Sequence, residues 1–272
     1  MQQIFKAMEM VAAAKLRRAQ ARAQAASPYA EKITQMLANL SGAASELDHP
    51  LFKAREVKTT ALVVITADRG FAGAYNTNVL RAAEHRLREA PRGAIQVVVV
   101  GRKGRDYLRR RGYPLLAVHT DLPGEASLEF ARELTADLTA RFVSGEVDRV
   151  EVMYAHFVNA LVRKIRTEVF LPVGAGETGD DDKAPADRGT IFEPDAETLF
   201  AELLPRYATA KLYAALADAL ASEHSARMVA MGSARKNAGE LVDSLTLTRN
   251  RLRQAAITRE IAELVGGAEA LK

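Results

Sequence analysis

No proline occurs after Pro205, and this feature constrains the fold more than any other. Proline costs about 3 kcal/mol inside a helix, so a stretch without it can run as helix along its whole length. Residues 206–272 make 67 such positions. At 1.5 Å rise they span roughly 100 Å, wider than any small domain. Just upstream, Pro194-Asp195 opens a first helical stretch over 196–204, and Pro205 stands where a second helix begins. Leu212, Leu216 and Leu220 recur every fourth residue. Leu241, Leu245, Thr248, Leu252 and Ala255 step by alternating fours and threes, and Ile257, Ile261, Leu264, Ala268 and Leu271 repeat those steps with an offset. That is a heptad seam whose stripe shifts once. Gly232 and Gly239 weaken the helix by about 1 kcal/mol each, which predicts bending or fraying there, not a break.

The first 27 residues also lack proline. Ile4, Met8 and Val11 keep helical spacing in a run rich in good helix formers. A long polar helix is not stable alone in water; its stability comes from burying a stripe. Pairing the two ends of the chain as an antiparallel coiled coil solves both problems. Charge follows the same partition. Residues 1–26 carry +4 and 206–272 carry +3, whereas 27–205 carry −3.

The middle changes period. Short β-branched runs at 61–65, 95–100, 115–118 and 150–154 alternate with helical patterns at 77–88, 104–111 and 127–144. Buried strands alternating with helices predict a mostly parallel sheet. Residues 168–172 make a candidate edge strand because of their proline, and 174–189, with Asp180-Asp181-Asp182, read as a surface loop. The expected fold is α/β: an antiparallel coiled coil of N- and C-terminal helices with an inserted Rossmann-like α/β domain. The expected boundaries are 1–56, 57–190 and 191–272.

Little here promises catalysis. With no cysteine, a disulfide framework, a thiolate metal site and a cysteine nucleophile are excluded. No apolar run approaches the length of a membrane span, and the start does not read as a secretory signal, which predicts a soluble protein of a reducing compartment. The turn Asp68–Asn76 follows a strand and precedes a helix, where a nucleotide fold places its phosphate cradle. Its glycines, Gly70 and Gly73, give G-x-x-G and not G-x-G-x-x-G, so a sterically required turn is the better reading. Gly101-Arg-Lys-Gly104 and Arg109-Arg-Arg111 form a basic cluster without stacking aromatics, better read as a solvated helix face than as a nucleic-acid site. The five histidines do not pair at helical spacing, which argues against a metal site on one helix, and there is no nucleophile elbow. His224, in the long helix, is expected to be packed or solvated. Lys15 to Arg22 could track a DNA backbone, but the expected partner of that helix is the other end of the same chain. No catalytic, cofactor or metal residues are assigned.

Specific strings carry further information. KAMEMVAAAKLRRAQ (6–20), ITADRGFAGAYN (65–76), GRKGRDYLRRRG (101–112), FEPDAETLFAELLPRY (192–207), SEHSARMVAM (222–231) and LTLTRNRLRQAAITREIAELVGGAEAL (245–271) occur in this order. Together they resemble the ATP synthase gamma subunit family along the whole chain. The resemblance implies a non-catalytic central shaft of a rotary ATP synthase. Its coiled coil would enter the ring of α and β subunits. Its α/β domain would act as a foot against the epsilon subunit and the c-subunit ring. The expected place is the cytoplasmic face of a bacterial membrane, peripheral to it.

Residue by residue, the resemblance implies that Arg253 and Gln254 contact a β-subunit loop. Arg249 and Thr258 are expected near the same face, and Met8 where the shaft passes the β subunits. Glu193 would face the c ring; its plain alternative is an acid favoured at a helix N-terminus. The family's N-terminal helix starts several turns earlier, with threonine where Phe5 stands. That shift is expected to leave part of the C-terminal helix with less partner to bury against. Ala72 stands where many members of that family have cysteine, and with no cysteine at all and no redox insert in the middle, thiol regulation of the plastid kind is excluded. Two other functions remain open on residues alone: a stand-alone nucleotide-binding α/β protein, and a basic coiled-coil nucleic-acid binder.

Overall fold

The computed structural model describes residues 1–43, 49–53, 55–122, 124–173 and 196–270. Its elements are α1 (Gln2–Ala43), β1 (Thr60–Ile65), α2 (Tyr75–Glu89), β2 (Ile95–Val100), α3 (Arg102–Arg110), β3 (Leu115–His119), α4 (Leu128–Ser144), β4 (Arg149–Phe157), β5 (Arg163–Leu171) and α5 (Ala196–Ala270). The sheet has the order β3-β2-β1-β4-β5, with every pair parallel except β4–β5.

Strand period 2 sends alternate side chains to two separate cores. Ala61, Val63 and Ile65 face α4 and α5, where Leu134, Leu138, Phe142, Leu204 and Leu212 are buried. Leu62 and Val64 face α2 and α3, with Val79, Leu80 and Leu108. Both faces of β1 are therefore apolar, which explains its unbroken hydrophobic run. The segment around Glu168–Pro172 belongs to β5, an antiparallel edge strand.

α5 is one helix of 75 residues with Pro205 inside it, not two helices meeting there. Proline costs about 3 kcal/mol in a helix. Around it, Leu204, Tyr207, Ala208 and Leu212 are buried in the α4 core. Burying one large apolar side chain contributes about 1.5–3 kcal/mol, so several together outweigh the break. Thr209 Oγ1 also donates to the Pro205 carbonyl at 2.8 Å. The residues expected to open this helix, Pro194 and Asp195, lie outside the described residues, as do 174–189.

α1 and α5 form the expected antiparallel pair. Gly239 sits beside Gln2 and Gly232 beside Glu9, seven residues apart in opposite directions. Ala12 and Leu16 are buried along the same seam, and Arg235 pairs with Glu9 at 3.0 Å. The two glycines do not break α5, which is helical through both. A Cβ at Gly239 would stand 3.2 Å from Gln2 Nε2, so their role is close approach of α1. The pairing reaches α5 only as far as Gly239. The heptad positions from Leu241 to Leu264 are not covered by α1: residues 241–267 are exposed throughout. The side chains of Ala268 and Leu271 lie outside what is described.

Candidate functional site

Two regions hold the candidate functional residues: the joint between sheet and coiled coil, and the free end of α5. The joint lies at the carboxyl ends of the parallel strands, the edge where open α/β sheets bind their ligands. Here three connections reach up and grip the helices instead. In the turn after β1, Tyr75 Oη donates to the Ala219 carbonyl at 3.2 Å, and Arg227 reaches the Gly70 carbonyl at 3.3 Å. In the loop after β3, Glu125 pairs with Arg22 and, at 3.6 Å, with Arg18 of α1. In the hairpin after β4, Phe157 N–H donates to Asp218 at 2.8 Å, and Ser225 Oγ donates to the Ala160 carbonyl at 2.7 Å.

The donors that a phosphate would need are already used. Arg102 N–H donates to Asp68 Oδ1 at 2.8 Å, Lys103 N–H to the Ala67 carbonyl at 3.1 Å, and Gly104 N–H to Thr66 Oγ1 at 2.9 Å. These are the first three N–H groups of α3, the ones that make a helix start an anion site. The glycines serve this packing. A Cβ at Gly101 would stand 2.2 Å from the Thr66 carbonyl oxygen, and one at Gly104 would stand 2.7 Å from Thr66 Oγ1. In the preceding turn, Phe71 and Gly73 both have positive φ, and the turn packs toward Ala230 of α5.

Several of the basic residues are engaged as well. Arg111 lies over the Tyr107 ring and pairs with Glu84, and Arg105 pairs with Asp106. Arg18 and Arg22 hold Glu125, and Lys15 Nζ lies over Gly124. Thus one face of the basic N-terminal stretch is turned into the joint. The helix-start donors a nucleotide would need are used, and part of the basic surface is spent on pairs within the chain, so neither alternative reading is favoured.

A cavity of about 450 Å³ remains between sheet edge and coiled coil, where Lys15, Asp68, Glu223, His224 and Arg227 meet. Its charges are largely spent on one another: Glu223 pairs with Arg227 at 2.6 Å, and Asp68 accepts backbone N–H bonds from Arg102 and Leu122. Burial raises the Glu223 carboxyl above its ordinary range, and Arg227 opposes that rise. Burial lowers His224 to about 4, aided by the cations Arg227 and Lys15. His224 is therefore packed and neutral at pH 7, the first of its two expected states. Among the described residues no group of three or more acids and histidines could hold a metal ion.

The other region is the free end. Arg249, Arg253, Gln254 and Thr258 are all exposed there. At 3.6 residues per turn, Arg249 and Arg253 share one side and Gln254 and Thr258 the next. Arg249 and Thr258 flank the Arg253–Gln254 pair, one on each side of it. Met8 is half-buried on α1, and Glu193 lies outside the described residues. Sequence reading missed the joint residues Asp218, Ser225, Glu125 and Tyr75. Their partners lie up to 144 positions away, and no local pattern marks them.

Comparison with known proteins bears on both regions. A family model described as ATP synthase matches residues 1–271. An ATP synthase gamma chain of Desulforamulus reducens is 47% identical over 271 residues, covering 100% of this chain and 94% of that relative. One from Moorella thermoacetica is 47% identical over 275 residues, covering 100% and 94%. Among solved structures, the central stalk and c-ring of the Tetrahymena thermophila mitochondrial ATP synthase contains a chain matching with a TM-score of 0.66 at 26% identity, covering 85% of this chain and 99% of that one. A chain of the Euglena gracilis mitochondrial ATP synthase rotor matches with a TM-score of 0.62 at 21% identity, covering 94% and 93%, and is similar in fold.

Proposed function

The chain belongs to the ATP synthase gamma family, and on that premise we propose how its parts divide the work. It is the central shaft of a rotary ATP synthase. The α/β domain is its foot, turned by the c ring with the epsilon subunit alongside. The free end of α5 is the part that turns inside the α and β subunits. The chain itself does no chemistry. It sits peripherally at the cytoplasmic face of a bacterial membrane; no described helix is long and apolar enough to cross one.

The observation that carries this reading is the antiparallel α1–α5 rod rooted in the sheet, in a chain that matches the ATP synthase family along residues 1–271; the free end of α5 adds to it. Residues 241–267 are exposed on every side, with Leu241 60%, Leu252 67% and Leu264 75% exposed. An apolar stripe so exposed calls for a partner to offset the cost of ordering. A surrounding ring of α and β subunits supplies one. Each β subunit meets a different side of the helix, and a shaft biases a partner's conformations only through unequal contact with them. Arg253 and Gln254 serve one β loop, where the guanidinium fork suits a carboxylate. Arg249 and Thr258, flanking that pair, add to the β-subunit contact. Met8 lines the passage, and Glu193 meets the c ring.

Arg253→Ala tests the assignment. In complex with α and β subunits it should assemble normally, judged by co-purification, while ATP turnover falls about tenfold, the loss of roughly one charge-assisted contact. Unchanged turnover would remove Arg253 from the contact. Failure of the unaltered chain to co-purify with α and β would remove the shaft reading itself.

A further inference from the structure

Torque must pass from the foot to the shaft through the joint, and the contacts there are of two kinds. Leu204, Leu212 and Leu216 bury apolar surface against the sheet. Apolar burial resists separation but has no preferred direction, so it offers little resistance to small rotations. Hydrogen bonds are directional and weaken steeply when bent. Along α5 the polar contacts to the β4–β5 hairpin recur every seventh residue. Lys211 Nζ donates to the Val169 carbonyl at 3.4 Å. Asp218 accepts from Phe157 N–H at 2.8 Å and meets His156 Nδ1 at 2.5 Å. Ser225 Oγ donates to the Ala160 carbonyl at 2.7 Å and accepts from Arg163 at 3.2 Å. Seven residues are nearly two turns, so the three lie in one line that drifts about 20° per step.

That line follows the hairpin from the end of β5 to its tip. The tip is itself braced: Asn159 Oδ1 accepts from Leu161 N–H and Val162 N–H, and Arg163 reaches the Leu161 carbonyl. Asp218 and Ser225 each bind the hairpin through two bonds from different directions, which fixes an angle as well as a distance. The other two arms of the joint do not repeat this seven-residue line.

Resting on the rotor reading above, we propose that the line of Asp218 and Ser225 against the β4–β5 hairpin is the torque-bearing latch of the joint. The two residues are positioning residues: they set and hold the angle of the foot about the shaft.

The test uses the assembled complex with its α and β subunits, carrying a rotation probe on the exposed loop at Arg92, at the far end of the foot. In the unaltered complex the probe must step when ATP is added; if it does not, the rotor reading fails before the latch is tested. Asp218→Ala with Ser225→Ala should still step, but the angular variance of the probe in each dwell should at least double. Asp218→Asn, which can still accept from Phe157 N–H, should fall between. In membrane vesicles, charge moved per ATP, read by a potential-sensitive dye, should drop in the same order. If the double variant does not assemble, Ser225→Ala alone carries the test, with a smaller rise in variance expected. Angular variance and charge per ATP equal to the unaltered complex would overturn the latch. So would a loss of turnover with charge per ATP unchanged, since that describes a merely structural role.

Discussion

At the scale of single residues, the strictest demands come from close packing at the joint. Gly101 has φ +103°, and a Cβ there would stand 2.2 Å from a backbone oxygen. No small adjustment relieves a backbone contact of that length. Gly101→Ala should therefore destabilise the chain by more than about 3 kcal/mol, read as loss of the cooperative denaturation transition. Gly112→Ala, with open space around its Cβ, should cost less. His224 makes a different prediction. Its value falls from 6.5 unfolded to about 4 folded, so the unfolded chain takes up the proton first. The stability linked to it is whole above pH 6.5 and is lost as pH falls toward 4. At pH 5 this loss is about 2 kcal/mol. Glu223, with its carboxyl raised, works the opposite way and recovers part of the loss. His224→Gln should make the drop in unfolding free energy between pH 7.5 and pH 5 smaller. An equal or larger drop would show that the ring is not buried neutral.

At the scale of elements, α5 is two things in one helix. From Leu204 to Met231 it packs into the sheet and α1; from Leu241 onward it meets solvent. Local stability should follow that division. Amide exchange on the chain alone should be slow over 204–231 and fast over 241–267. On assembly with α and β subunits the second segment should slow by at least a hundredfold. Continued fast exchange there would mean that nothing surrounds the free end. Strands and short helices were legible because β-branched runs buried on both faces leave an unmistakable pattern. The single helix across Pro205 was not legible, because a local penalty is visible in sequence and the burial that overcomes it is not. The glycines show the same limit: the sequence shows that Gly232 and Gly239 weaken an isolated helix, and only the fold shows that beside Glu9 and Gln2 they make room.

At the scale of the whole molecule, the length has a physical reason. An α/β domain and a rod share one chain, and the rod continues beyond the core it is rooted in. The strand ends that hold ligands in related sheets hold the rod instead, so the domain becomes a handle. The family strings at the free end were readable because they are contiguous. The joint was not, because His156 and Asp218 are 62 positions apart and meet only when β4 lies beside α5. The central claim is that this handle and rod turn as a unit, with the free end of the rod inside the α and β subunits. The chain has no cysteine, so a single Arg92→Cys gives one unambiguous attachment point on the exposed far end of the foot. With the partner α and β subunits fixed to a surface and a bead on that cysteine, ATP should drive rotation in one direction, pausing at each third of a turn. A bead that only fluctuates about one angle while ATP is consumed would contradict the account.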